Sequence, residues 1–177
     1  MPDPNAPLVT PRLRLEPLGR EHAPVMLAVL ADPRIYGYIP GDPPTDEPAL
    51  AERYARLETR SSPDSTQRWL NWVVLTEAGA AGRIEASVDL AAQRADVAYL
   101  FHPDAWGHGY AREAVGAMLA HLRRLGVRLA QAHIDTRNLA SLKLVQHLGF
   151  TYHHTIHGAD EFKGSVSDEA VYNLPLD

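Results

Sequence analysis

The chain has 177 residues, 45% of them apolar and 22% charged, enough to fill one hydrophobic core. It contains no cysteine, which excludes disulfides, thiolate metal sites and an acyl-cysteine intermediate. A net charge of −5 argues against general nucleic-acid binding, which needs a basic footprint. The charge is uneven. Between Trp106 and Ala130 stand four arginines (112, 123, 124 and 128) against Glu113, a net of +3, so the remainder carries −8. No apolar run approaches the ~20 residues of a membrane helix, and no charged-then-apolar leader opens the sequence. A soluble, cytoplasmic protein without membrane contact is expected.

Residues 1–11 hold four prolines and no periodicity, and read as a loose arm. Arg12–Leu18 alternates and predicts a strand. His22–Ala31 has helical spacing and is stopped by Asp32-Pro33. Gly37–Pro48 reads as a loop and Ala49–Thr59 as a second helix. The stretch Ile35–Ser65 is expected to be the most mobile part. Trp69–Thr76, Gly82–Leu90 and Asp96–Phe101 predict three strands. Ala111–Leu125 carries Val115, Met118, Leu119, Leu122 and Leu125 on one stripe before Gly126, the clearest helix in the chain. Val127–Ile134 predicts a strand, Leu139–Leu148 a helix ended by Gly149, and Phe150–Ile156 and Ser167–Leu174 two closing strands. The order is β-α-α-β-β-β-α-β-α-β-β: an α/β (α+β) chain of about seven strands and four helices, read as one domain over 1–177.

The most informative stretch is Tyr99-Leu-Phe-His-Pro-Asp-Ala-Trp-Gly-His-Gly-Tyr-Ala-Arg-Glu-Ala114. A strand ends at Phe101, a short loop holds Gly107 and Gly109, and a long helix opens near Ala111. Such a turn directs backbone N–H groups toward one point, and the helix adds its unpaired first-turn donors and the positive end of its dipole. The segment Gly107, His108, Gly109, Tyr110, Ala111 and Arg112 therefore forms an anion site suited to a pyrophosphate. Other phosphate loops fit poorly. Gly-Lys-Ser/Thr is absent, and Arg112 stands where a dinucleotide fingerprint needs its third glycine.

Here the chain resembles the GNAT superfamily of N-acetyltransferases, in its RimJ/RimL-like branch. The family loop reads Gln/Arg-x-x-Gly-x-Gly/Ala. This chain has Trp106-Gly-His-Gly109-Tyr-Ala111, with Trp106 departing from the general pattern but fitting the branch. Thr10-Pro-Arg-Leu-Arg-Leu-Glu-Pro-Leu18 resembles the branch's opening strand. Asn138-Leu-Ala-Ser141 with Leu148-Gly-Phe150 resembles its second cofactor motif, and Gly158–Leu174 its closing hairpin. The resemblance implies a strongly twisted mixed sheet whose central strands splay into a wedge. Acetyl-CoA would be the cosubstrate, its pantetheine pairing with backbone near Leu100, Phe101 and His102.

An attacking amine must be neutral, and the departing thiolate must gain a proton. The resemblance places Ser141 near the thioester sulfur as the acid and Asn138 beside pantetheine; Asn138 equally reads as a helix cap. For the base it implies Glu161 or Asp160, which the spacing does not separate, and Asp96 on the central strand. Glu85, a carboxylate inside an apolar strand, is a further candidate. His153, His154 and His157 form the densest histidine group, but strand alternation sends 154 away from the other two, and no metal is expected. Trp69, Trp72 and Tyr152 read as core or pocket wall.

The expected activity is transfer of acetyl from acetyl-CoA to a primary amine, on a protein N-terminus or a small molecule, by a monomer or homodimer. The acidic remainder of the chain favours a cationic acceptor. The competing readings are an acyl-CoA-binding module without catalysis and a nucleotide-binding regulator.

Overall fold

Period-two segments become strands and period-3.6 segments become helices close to where the sequence places them. The computed structural model describes residues 2–177. Its strands are β1 (Leu8–Val9), β2 (Arg14–Pro17), β3 (Gln67–Thr76), β4 (Gly79–Asp89), β5 (Arg94–Phe101), β6 (Leu129–Asp135), β7 (Thr151–Phe162) and β8 (Ser165–Pro175). Its helices are α1 (Ala23–Leu30), α2 (Glu47–Leu57), α3 (Tyr110–Arg124) and α4 (Leu139–His147). The strands form one sheet in the order β1-β2-β3-β4-β5-β6-β8-β7. Every neighbouring pair is antiparallel except β5 and β6, which run parallel.

Both faces of the sheet are covered. Ile84, Val97, Ala132 and Tyr172 share one apolar cluster with Val115, Met118 and Leu122 of α3 and Val145 of α4. On the other face Val73 and Leu100 pack with Met26 and Leu30 of α1 and Leu50 and Tyr54 of α2. Side chains alternate along each strand. Glu85, Asp96, His133 and Glu169 therefore lie on the α1/α2 face, and Tyr99 lies on the α3/α4 face.

Local chemistry sets the helix ends. The Asp46 side chain accepts the Ala49 N–H at 2.8 Å to open α2. The last turn of α3 carries His121, Arg123 and Arg124 against the negative end of its dipole. Three readings need correction. The sheet has eight strands, because residues 8–9 pair with β2. For the same reason the arm over 2–11 is docked: Leu8 is buried, Trp72 Nε1 donates to the Ala6 carbonyl at 3.0 Å, and the His121 ring meets the Pro4 carbonyl at 3.1 Å. The closing strand continues past Ile156, because Gly158 (φ +62°) sits in a bulge and pairing resumes at Asp160↔Ser167. Of the three aromatics, Trp72 is core, whereas Tyr152 is 57% exposed on the edge strand. Among the described residues no helix is long and apolar enough to cross a membrane.

Candidate active site

The site begins where two strands part. β5 and β6 pair only through Arg94↔Leu129, Ala95↔Ala130 and Asp96↔Gln131. Beyond that point β5 stays with β4 as far as Gly82↔Phe101, while β6 stays with β8 as far as Asp135↔Glu169. Segments 97–101 and 132–135 diverge and leave a wedge between them. The His102 N–H donates to the Ala81 carbonyl at 2.9 Å, so the backbone groups of His102 and Leu100 turn toward β4. Alternation turns those of Val97, Tyr99 and Phe101 into the wedge. One of them is used: Trp106 Nε1 donates to the Phe101 carbonyl at 3.0 Å, tying the loop back to the strand.

That loop carries Gly107 (φ +78°) and Gly109 (φ +77°), both left-handed, with Gly109 as the N-cap of α3. A Cβ at Gly107 would meet no protein atom within 4 Å, so backbone there is open to a ligand. The loop is clamped from outside. Arg12 Nη1 donates to the His108 carbonyl at 2.8 Å, and Arg12 Nε donates to Glu113 Oε2 at 2.7 Å. Thr10 Oγ1 donates to Glu113 Oε1 at 2.6 Å. The Arg12 guanidinium lies 4.9 Å over the Tyr110 ring, which stacks on His108 at 5.4 Å. Burial opposes the Glu113 charge, but the hydrogen bonds from Thr10 and Arg12 prevail and hold its pKa below the usual carboxylate value. The side chain of Arg112 is exposed.

Asn138 caps α4, its side-chain oxygen accepting the Ser141 N–H at 3.2 Å. Ser141 thus stands in the first turn of α4, half-buried, on the α3/α4 side of the sheet. The Tyr99 hydroxyl reaches across from β5 to the Ser141 carbonyl at 3.5 Å. Burial raises the Tyr99 pKa against that hydrogen bond, so the phenol keeps its proton at neutral pH.

The four candidate carboxylates do not converge. Asp96 lies at the apex of the wedge on the α1/α2 face, in one row with Ser87, Gln131 and Asn173. Its Oδ1 is buried and has no hydrogen-bond partner among the described residues; Arg94 Nε stands 4.0 Å away and His133 Nε2 3.9 Å. Glu85 is held by Arg83 at 2.7 Å. Asp160 pairs with the buried Ser167, while Glu161 pairs with Val166, 62% exposed, on the opposite face. His153 meets His154 and His157 meets Asp168, and among the described residues no group of three could hold a metal.

The domain family described as acetyltransferase (GNAT) matches residues 12–151. The chain belongs to the GNAT acetyltransferase family. An uncharacterized N-acetyltransferase of Bacillus licheniformis, p20, is 24% identical over 168 residues, covering 94% of each chain. Among solved structures, the ribosomal-protein alpha-N-acetyltransferase RimL in complex with coenzyme A superposes with a TM-score of 0.87 at 16% identity, over 96% of this chain and 98% of that one. The spermidine N-acetyltransferase of Vibrio cholerae, in complex with CoA and spermine, superposes with a TM-score of 0.81 at 18% identity, over 94% and 97%.

Four residues beside the wedge and its loop receive no role from the sequence motifs: Thr10 and Arg12, which reach Glu113 across about a hundred positions of sequence, and the Tyr99 and His133 side chains. Alternation along β5 was the available signal for Tyr99. No local signal marks the clamp. Arg12→Ala and Glu113→Gln should each raise KM for acetyl-CoA roughly tenfold with kcat nearly unchanged, because they shape the loop and touch no reacting atom. Steady-state kinetics checks this. The pH sign follows from the lowered Glu113 pKa: the clamp is complete above the ordinary carboxylate pKa and is lost as pH falls through the lowered one. Acetyl-CoA affinity should fall there in the wild type and not in Glu113→Gln.

Proposed function

We propose that this GNAT enzyme, of the RimJ/RimL-like branch, transfers acetyl from acetyl-CoA directly to a primary amine on a protein N-terminus or a small molecule. The observation that carries the reading is the wedge itself. Its floor is open backbone of β5, its far end is the left-handed glycine loop, and its two faces present different chemistry. Backbone N–H groups of 107–112 would hold the pyrophosphate and the wedge-facing backbone of Val97, Tyr99 and Phe101 the pantetheine, rather than that of Leu100 and His102, which pairs toward β4, with Asn138 and Ser141 alongside. Acetyl-CoA supplies an activated thioester; the chain supplies position and proton handling.

Ser141 stands on the α4 side and Asp96 on the α1/α2 side. The Asp96 carboxylate takes the proton of the incoming ammonium from its face. The amine nitrogen forms its bond to the acetyl carbon as the carbon–sulfur bond breaks, and the Ser141 hydroxyl gives a proton to the thiolate. The strand register favours Asp160 over Glu161 as the hairpin carboxylate facing the acceptor, and the ion pair with Arg83 makes Glu85 the poorer base. The surplus of carboxylates on this face suits a cationic acceptor.

No cysteine is present to carry an acyl group, and direct transfer within a ternary complex is the expected route. Initial-rate lines should intersect for acetyl-CoA and amine. Parallel lines, or a trapped acetyl-enzyme in mass spectra, would contradict direct transfer. The activity itself is tested by CoA release over a panel of amines and short peptides. Acetyl-CoA binding with no thiol release from any acceptor would leave a binding module, and preference for ATP or NAD a nucleotide-binding regulator.

A further inference from the structure

Acetylating an ammonium releases one proton per turnover. One N–H proton must leave the nitrogen before it attacks, and a second leaves as the thiolate gains the proton that Ser141 gives. The first proton needs a destination beyond Asp96, because the carboxylate must be free again for the next acceptor. Strand register shows what stands behind it. On the α1/α2 face, Asp96 shares the apex row with Ser87, Gln131 and Asn173. One step toward the open end, Ala98 stands on the β5 bank beside Glu85, and His133 stands on the β6 bank beside Val171. Ala98 and His133 are both exposed, so the helices of this face leave the wedge uncovered there. His133 is the titratable side chain of β6 nearest the point where β5 and β6 part on this face.

Each ring nitrogen of His133 faces an acceptor. Nδ1 lies 3.3 Å from Glu169 Oε2, and Nε2 lies 3.2 Å from Gln131 Oε1 and 3.9 Å from Asp96 Oδ1. Gln131 is itself held, its Nε2 donating to Asn173 Oδ1 at 2.8 Å. An imidazole donates at both nitrogens only when it carries a second proton, so this surround suits the ring after it has received one. The other neighbour of Asp96 Oδ1 is Arg94 Nε at 4.0 Å, and a guanidinium has no atom to accept a proton. An amine bound against Asp96 screens it from solvent. The row through His133 and Glu169 leads away from that amine, across β6 to β8, and reaches water: the two side chains are 35% and 25% exposed.

We infer that His133, oriented by Glu169, acts through Asp96 as the outlet for the acceptor's proton. Asp96 removes the proton from the ammonium and passes it to His133 Nε2. The carboxylate is regenerated, the ring becomes imidazolium with Nδ1–H on Glu169, and the proton leaves to water. The inference rests on the transfer reading above, with Asp96 as the base. The 3.9 Å separation is longer than a hydrogen bond, as catalytic contacts often are before the substrate complex forms. The test is rescue kinetics on the whole chain with a reactive amine. His133→Ala should lower kcat about tenfold or more, with KM for acetyl-CoA nearly unchanged. His133→Gln keeps a hydrogen-bonding side chain but takes up no proton, and should lose as much. Added imidazole should restore kcat to His133→Ala. Across substituted imidazoles of similar size the rescue should rise with their basicity, whereas a ring that only fills space is replaced equally well by each. In an Asp96→Asn background the His133 change should add little. Near-normal kcat in either His133 variant, rescue indifferent to basicity, or a loss that multiplies fully with Asp96→Asn would overturn the inference and leave amine acetylation standing. A wild type that acetylates no amine would overturn both, and this control tells the two failures apart.

Discussion

Asp96→Asn should lower kcat by ~100- to 10,000-fold while leaving acetyl-CoA affinity nearly unchanged, the range expected when general base help is removed. The carboxylate sits at the last parallel pair of β5 and β6, with a buried oxygen that has no hydrogen-bond partner among the described residues. Asparagine keeps its size and removes its proton affinity. Ser141→Ala should lower kcat by a similar factor, acting on the departing sulfur rather than the amine. Glu161→Gln should be close to wild type, since its partner Val166 is on the exposed face. Steady-state kinetics with a reactive amine measures all three. Loss of kcat in Asp160→Asn with Asp96→Asn unaffected would move the base to the hairpin. If no carboxylate matters, the amine arrives neutral from solution and the protein's contribution is positioning.

Gly109→Val should weaken acetyl-CoA binding about 100-fold or more. Gly109 is left-handed and caps α3, so a β-branched residue there forces the loop out of shape and turns its N–H donors from the ligand. Hydrogen bonds to charged groups are worth roughly 1.5–3 kcal/mol, so misdirecting one or two accounts for the loss. A Cβ at this position would stand 3.4 Å from Arg12 Nη2, in contact with the clamp. Backbone strain of this kind is worth about 1–3 kcal/mol, which a folded domain of this size tolerates. Calorimetry should show lost affinity while circular dichroism shows a retained fold. Unchanged affinity would remove the glycine loop from the cofactor site.

The helices of this enzyme were legible because their information is local. The apolar stripe of α3, the caps at Asp46 and Asn138 and the stop at Gly149 depend on residues within a turn or two. The glycine loop was legible for the same reason: a positive φ before a helix leaves a mark in composition. The arm was not, because its proline-rich sequence has no periodicity and what orders it, the contacts with Trp72, His121 and β2, lies far along the chain. Choosing among carboxylates also needed the fold. Composition and spacing treat Asp160 and Glu161 alike; the register of β7 on β8, shifted by the bulge at Gly158, sends them to opposite faces. Likewise Asp96 becomes distinctive only because β5 and β6 stop pairing beside it, and Arg12 meets Glu113 only once the turn between β1 and β2 lies against the start of α3. Sequence by itself determined most of the elements, the glycine loop before α3 and the family; side-chain direction and long-range pairing, which depend on the whole sheet, were decided by the tertiary structure.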